Sequence, residues 1–508
     1  MKNELLTLLI LFPFYGFSLE KPNIIIFLVD DMGITDMSVP VFANANQEIV
    51  PRELNKFYRT PNLEFLAKKG IRFSQFHAHS VCSPSRISLL TGQNSARHKT
   101  TTWIKPTMKN TGQYGPKRWN WMGLGKNSVT LPRILQSAGY RTIHIGKGHF
   151  GPQNSEGSDP KNLGFTINIG GSCWGHPRSY LSKKHYGNLK NKEGLFAVPH
   201  LDKYYDTGTF LTEALTTEAC NQIEISLAEE KPFFLYLSHY AVHGPFNIDD
   251  RFINNYNQSN KSEKAKAFAT LIEGIDKSLG DIINTLVKCG IADNTLIFFL
   301  GDNGTDAPLG KTHSIACASP LRGKKGTHYE GGTRVPFFAS WASISQSNPW
   351  QKEFPIAENK IQDQVSTIID IYPTILDLLA IDSPKNHIID GNSLRFKLNG
   401  VADSSDQQTF LMHFPHEHRS SYFTSFRKEN WKLIYHYNPE EPDNPDLELF
   451  DLEKDPSESH NQAFTEPSQL VSMIKTMIEQ LEKKVALYPE DVQGNPIKPF
   501  IPKTYLKD

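Results

Sequence analysis

The chain has 508 residues, with 54 acidic and 54 basic side chains balancing to zero formal charge. That length suits one large α/β domain and a smaller companion, while the charge balance and the absence of any lysine-arginine run leave nothing that points to nucleic acid.

In chain order, the first feature is an apolar stretch from Leu5 to Phe17, preceded by Lys2 and followed by Gly16-Phe17-Ser18 as a small-residue cleavage site. It reads as a signal peptide over residues 1–18, too short to span a membrane. The mature chain is expected to start near Leu19 and to be exported, to a periplasm or the exterior. The segment carries no lipobox cysteine, so no lipid anchor or stable membrane association is expected.

Asn23 to Val29 is almost wholly apolar and predicts a strand buried on both faces, as in a parallel sheet covered by helices. Asp30-Asp31-Met32-Gly33 follows it directly. Ligands in open α/β sheets gather at the carboxyl ends of strands, and adjacent carboxylates imply a cation between them. Thr295 to Leu300 repeats the pattern and runs into Gly301-Asp302-Asn303-Gly304. Asp30, Asp31, Asp302 and Asn303 offer only hard oxygen donors, a set that suits calcium and not zinc. Between these segments lies Cys82-Ser83-Pro84-Ser85-Arg86, followed by Leu89-Leu90-Thr91-Gly92. A helix opening at Pro84 would turn residues 82 and 86 toward one site.

Helices are predicted over residues 62–69, 131–138, 210–228, 263–288 and 364–379, alternating with apolar strands as in βαβ units. Residues 101–127 and 151–206 are long, aromatic-rich and without period. Loops of that size are usually functional, and Trp103, Trp119, Trp121 and Trp174 would form a substrate rim. Residues 410–414, 421–427 and 431–437 read as short antiparallel strands, with a closing helix over 470–487. The domain boundaries expected are 19–389 for a catalytic domain and 390–508 for a C-terminal subdomain.

The run from Cys82 to Arg86 resembles the CxPxR signature of type I sulfatases, arylsulfatase-like members of the alkaline phosphatase superfamily. In that family the cysteine is oxidised by a maturase to formylglycine, whose hydrate is the nucleophile. Gly139 to Phe150 resembles the second signature of the family, with Lys147 and His149 matching, although Gly148 and Phe150 depart from the usual aromatic and leucine. His243 before Gly244-Pro245 matches a family histidine, and Lys325 before Glu330-Gly331-Gly332 matches the sulfate-contacting lysine. Leu447 to Leu452 with Asp455-Pro456 resembles the C-terminal signature.

The resemblance implies an alkaline-phosphatase-like, mainly parallel sheet flanked by helices, with a smaller C-terminal antiparallel sheet. It implies calcium held by Asp30, Asp31, Asp302, Asn303 and the modified residue 82. It also implies a catalytic set of Cys82, Arg86, Lys147, His149, His243 and Lys325. In this set Arg86, Lys147, Lys325 and calcium clamp the sulfuryl oxygens, His243 protonates the leaving oxygen, and His149 takes a proton from the diol. His98 and His416 are further candidates for substrate contact, with His413 beside the latter. Asn94 to His98 resembles bacterial sulfatases that act on galactose-type 4-O-sulfate, so a sulfated sugar is the expected substrate.

Two other readings are weighed. The same superfold hosts phosphomonoester, phosphodiester and phosphonate hydrolases, which usually carry two transition metals, whereas one hard-oxygen site is visible here. A secreted glycan-binding protein that has lost catalysis would not need the full set of matching residues. Cys173, Cys220, Cys289 and Cys317 could form two disulfides or lie simply buried. His416-Glu417-His418 resembles the start of a zinc motif, but position 420 is serine.

Overall fold

Seven consecutive buried residues form strand β1 (Asn23–Val29), near the middle of an eight-stranded sheet. The computed structural model describes residues 21–44, 48–189 and 194–506, so the expected signal peptide lies outside the described residues. The strands that follow in chain order are β2 (Ile71–Phe73), β3 (Phe76–His77), β4 (Arg141–Gly146), β5 (Ile167–Ile169), β6 (Phe233–Ser238) and β7 (Thr295–Gly301). Next come β8 (Phe337–Trp341), β9 (Lys360–Gln362), β10 (Ser366–Thr367), β11 (Thr409–Phe414), β12 (Phe423–Lys428), β13 (Trp431–His436) and β14 (Asp446–Asp451).

The main sheet runs β5-β4-β6-β1-β7-β8-β2-β9. From β5 to β7 every pairing is parallel; β8 runs antiparallel to both β7 and β2. Side chains alternate across β1, so Ile25, Phe27 and Val29 join one apolar layer and Ile24, Ile26 and Leu28 the other. Helices Leu211–Ala228 and Glu263–Lys288 cover the first face. Helices Cys82–Thr91, Leu131–Ser137 and Ile371–Leu378 cover the second. With each large apolar side chain contributing about 1.5–3 kcal/mol on full burial, two covered faces explain why these strands read as unbroken apolar runs.

The helix predicted over 364–379 is interrupted. Ser366 and Thr367 form β10, paired in parallel with β3, and the helix begins only at Ile371. The Asp370 carboxylate accepts the backbone N–H of Thr367, a capping arrangement that separates strand from helix. The closing helix spans Pro467–Lys483, its start set by proline at the first position. Leu394 and Leu398 still pack into the second layer of the main sheet, and the small sheet starts at Thr409.

The small sheet is the antiparallel ladder β11-β12-β13-β14. One face packs on helix Pro467–Lys483, while the other, through Phe410, Met412 and Phe423, meets Val81, Tyr329 and Val365 of the main domain. A buried ion network pins this junction. Glu330 lies 3.1 Å from Lys432, 3.0 Å from Arg427 and 2.5 Å from Arg334, with His77 also at 3.1 Å. All five cysteines are free thiols, so the two possible disulfides are not formed. Among the described residues no helix is long and apolar enough to cross a membrane.

Candidate active site

Because β4, β6, β1 and β7 are adjacent and parallel, their carboxyl ends open on one edge of the sheet. Lys147 and His149 follow β4, His243 follows β6, Asp30 and Asp31 follow β1, and Asp302 and Asn303 follow β7. Cys82 meets them as the first residue of helix Cys82–Thr91, after an extended Val81 (φ −143°, ψ 159°). No side chain caps that end, and the positive end of the helix dipole lies there beside Cys82, a disposition that favours anions. The helix begins at Cys82, with Pro84 as its third residue.

Arg86 is fully buried and crosses from the helix to the strand ends. Its Nε–H donates to Asp302 Oδ2 at 2.8 Å, and Nη1 donates to the Lys147 carbonyl at 3.1 Å and to Ser238 Oγ at 2.5 Å. Nη2 lies 3.6 Å from Asp30. Burial disfavours the guanidinium charge, but Asp302 and Asp30 outweigh it and hold Arg86 protonated. Lys147 Nζ donates to both oxygens of Asp30 at 2.7 Å. Lys325 Nζ sits 2.7 Å and 2.8 Å from the two oxygens of Asp31. Burial alone would raise the Asp31 carboxyl; Lys325 and then His243 bring it well below the usual range.

The tautomers of two histidines follow from their carbonyl partners, which can only accept. His149 donates from Nε2 to the Ile104 carbonyl at 2.7 Å. Its Nδ1 is therefore the free base, 3.4 Å from both Cys82 Sγ and Ser83 Oγ. Burial, reinforced by the charge of Lys147, lowers this imidazole well below its ordinary pKa and keeps it neutral. His243 donates from Nδ1 to the Gly244 carbonyl at 2.9 Å and turns Nε2 toward Asp31 at 3.6 Å. Burial and then Lys325 lower it too, with Asp31 acting in the opposite sense.

The departures from the second signature have a steric explanation. A Cβ on Gly148 would stand 2.8 Å from the Ser172 carbonyl oxygen, so the chain passes too close there for an aromatic residue. Phe150 is buried in the second apolar layer, edge-on to His144 at 5.8 Å. Gly175 likewise makes room for His149, since a Cβ there would come within 2.6 Å of the imidazole.

Above Cys82, His149, His243 and Lys325 opens a cleft of about 420 Å³. Trp103 and Lys105 come to its wall from the first long loop, and Trp174, His176 and Phe196 from the second. His176 stacks between Phe196 (4.2 Å) and His243 (5.2 Å). The small-sheet side contributes His418 and Arg419, the latter paired with Asp306 at 2.6 Å.

Several candidates from the sequence are not brought to this cleft. His98 has Nε2 3.1 Å from Ser88 Oγ, and its Nδ1 accepts the Thr100 amide at 3.2 Å. His416 is buried, donates from Nδ1 to the Thr111 carbonyl at 3.2 Å and meets Thr101 Oγ1 through Nε2 at 2.8 Å. His413 is held between Thr424 and the Leu487 carbonyl, each at 2.7 Å. These rings have spent their polar atoms inside the protein. Trp119 is buried against His416, and Trp121 packs on the second apolar layer, which leaves Trp103 and Trp174 as the tryptophans of the rim. His418 and Arg419 went unrecognised although the His416-Glu417-His418 run lay in the right segment; nothing local distinguishes which histidine faces the cleft.

The carboxylates of Asp30, Asp31 and Asp302 present oxygens within 4.8 Å of one another, all buried. Asn303 donates through Nδ2 to Asp31 Oδ1 at 2.9 Å, while its Oδ1 is buried without a hydrogen-bond partner. Three carboxylates and an unsatisfied carbonyl oxygen at one point are the donor set of a hard divalent cation, so these residues fit a metal ion.

Residues converging on the carboxyl edge of a mainly parallel sheet, with a small antiparallel sheet closing one side, give this chain the alkaline-phosphatase-like architecture. The Sulfatase family profile matches residues 22–381, and the profile "N-sulphoglucosamine sulphohydrolase, C-terminal" matches residues 327–487. The chain belongs to the sulfatase family, a class of sulfuric ester hydrolases. It is 30% identical to mouse N-acetylgalactosamine-6-sulfatase over 393 residues, covering 74% of this chain and 66% of that protein, slightly under two thirds of the relative's length. Human steryl-sulfatase is 26% identical, with 96% and 92% covered. Among solved structures, Ps i-CgsB in complex with k-i-k-neocarrahexaose superposes with a TM-score of 0.69 at 26% identity, covering 91% of this chain and 93% of that one.

Proposed function

We propose that this protein is an exported, calcium-dependent sulfatase that hydrolyses sulfate monoesters on carbohydrates, using a formylglycine made from Cys82. The observation that carries the reading is the position of Cys82. Its side chain stands at an uncapped helix N-terminus, 3.4 Å from a free imidazole nitrogen, beside the cluster formed by Asp30, Asp31 and Asp302. In this reading Sγ marks where the modified residue would present its oxygens.

Asp30, Asp31, Asp302 and the Oδ1 of Asn303 would hold calcium, which supplies Lewis-acid stabilisation of anionic oxygen. The three carboxylates are matched by Arg86, Lys147 and Lys325, so a divalent ion leaves the site net positive, as binding an anionic ester requires. Lys147 and Lys325 then orient the sulfuryl group as buried donors in a low-dielectric pocket. His149 Nδ1 acts as the base toward residue 82, and its Nε2 bond to Ile104 fixes that tautomer. His243, whose Nε2 lies 3.6 Å from Asp31 at the floor of the cleft, would protonate the leaving oxygen, and the negative charge of a bound ester would favour its protonation against Lys325.

Carbohydrate as substrate is supported by the partly exposed Trp103 and the more deeply set Trp174 that line the cleft, by the similarity to an N-acetylgalactosamine-6-sulfatase, and by the structure of Ps i-CgsB in complex with k-i-k-neocarrahexaose. The galactose-type 4-O-sulfate reading rests on the sequence resemblance of Asn94 to His98. Those side chains bind the protein itself: Asn94 donates to the Leu411 carbonyl and Arg97 pairs with Asp390. Export rests on the N-terminal sequence.

Mass spectrometry of the peptide containing residue 82, from protein made with a maturase, tests the mechanism. Formylglycine in active enzyme is the expected result; a cysteine thiol in fully active enzyme would overturn it.

A further inference from the structure

Away from the cleft, His328, His436 and Glu448 bring three ligand atoms within 4.8 Å of one another. His328 lies in the stretch between Lys325 and Glu330, whereas His436 ends β13 and Glu448 lies in β14, so the trio spans the junction of the two sheets. His436 Nε2 is 2.8 Å from Glu448 Oε1, and His328 Nε2 is 3.7 Å from the same oxygen. The imidazoles of His328 and His436 are nearly perpendicular, with centroids 4.8 Å apart.

His328 provides the second, independent observation. It is 5% exposed, and neither ring nitrogen has a hydrogen-bond partner. A buried imidazole with both nitrogens unsatisfied pays a desolvation cost that a neighbour normally removes. Lys432 and Arg322 do not compete for the ligand atoms, since Lys432 pairs with Glu330 and Glu458, and Arg322 binds the Glu458 carbonyl and stacks on Tyr329.

We propose that His328, His436 and Glu448 form a transition-metal site, with zinc the fitting ion, that ties the segment bearing Lys325 to the small sheet. Two imidazoles and a carboxylate are a known zinc donor set, and bond lengths near 2.0–2.2 Å in a tetrahedron place ligand atoms about 3.3 Å apart. The distances of 2.8 Å and 3.7 Å straddle that spacing. His436 and Glu448 are partly exposed (22% and 17% for the side chains), so water can take the fourth position. The donor set differs from the all-oxygen cluster at Asp30, Asp31 and Asp302, so the two sites would select different ions.

The test is zinc titration of the purified full-length protein, followed by elemental analysis after gel filtration and by thermal melting, in calcium-containing buffer. The expected result is one zinc per chain and a higher melting temperature. In His436→Asn and Glu448→Gln, chosen because these partly exposed positions are less hazardous to folding than His328, both effects should be lost. Asp302→Asn should retain both, which separates this site from the calcium ligands. Retention of zinc in His436→Asn and Glu448→Gln, its loss in Asp302→Asn, or no stoichiometric zinc in the parent protein would overturn the proposal.

Discussion

Arg86 Nε and Asp302 Oδ2 form a 2.8 Å ion pair in which both side chains are completely buried. Asp302 is therefore a structural counter-ion as well as a candidate metal ligand. Removing one member of a buried pair leaves an uncompensated charge and costs about 3–5 kcal/mol. Asp302→Ala should consequently lower the melting temperature as well as calcium content and turnover. Asp302→Asn, whose amide oxygen can still accept from Arg86, should retain more stability while still losing calcium. Equal melting temperatures for the parent and Asp302→Ala would contradict this dual role.

The two histidines of the site should separate kinetically. General acid catalysis typically contributes about 10²–10⁴-fold, and a sugar alkoxide needs that help far more than a phenolate. His243→Ala should therefore reduce kcat/KM for sugar sulfates much more than for aryl sulfates. His149→Ala, which removes the base beside residue 82, should lower kcat by a similar factor for both. Identical losses for both substrates in His243→Ala would show that it is not the proton donor.

Acid stability offers a test of the histidines that turned out to lie in the protein interior. Burial lowers His416 and His98 to about 3 and His413 to about 4. An unfolded chain protonates these rings near pH 6.5, so as pH falls from there toward 3–4 the unfolded state binds more protons and the native state loses stability. Each such group contributes a slope of up to about 1.4 kcal/mol per pH unit. Melting temperatures measured from pH 7 to pH 4 should fall less steeply in His416→Gln than in the parent, whatever the offset at pH 7. An unchanged slope would mean that His416 is protonated in the folded protein.

Glu330 holds the two sheets together through Lys432, Arg427, Arg334 and His77. Glu330→Gln should destabilise by about 3–5 kcal/mol, because three buried cations lose their shared anion. Denaturant unfolding would show it as a reduced midpoint, and limited proteolysis should then cut near the start of β11. A midpoint within error of the parent would rule out the network as a fastener.

Much of the site is carried by strand ends and by one helix start, and these are local properties. Apolar runs at Asn23 to Val29 and Thr295 to Leu300, each closed by carboxylates, announce both the central strands and the oxygen donors, because a strand buried on both faces can place polar residues only where it ends. The run from Cys82 to Arg86 is legible through its resemblance to the CxPxR signature, and a single helical turn then brings its two ends to one site. Which of several histidines turns toward the cleft is not local. His416 and His418 differ by two positions in one segment, yet the first is drawn inward by Thr101 and Thr111 and the second lines the cavity. The same holds for the junction, where His77, Glu330 and Arg427 come from distant parts of the chain, and for His328 with His436 and Glu448. Sequence periodicity records which face of an element is apolar, whereas the meeting of polar atoms across elements depends on how those faces pack. That packing is decided only in the tertiary structure.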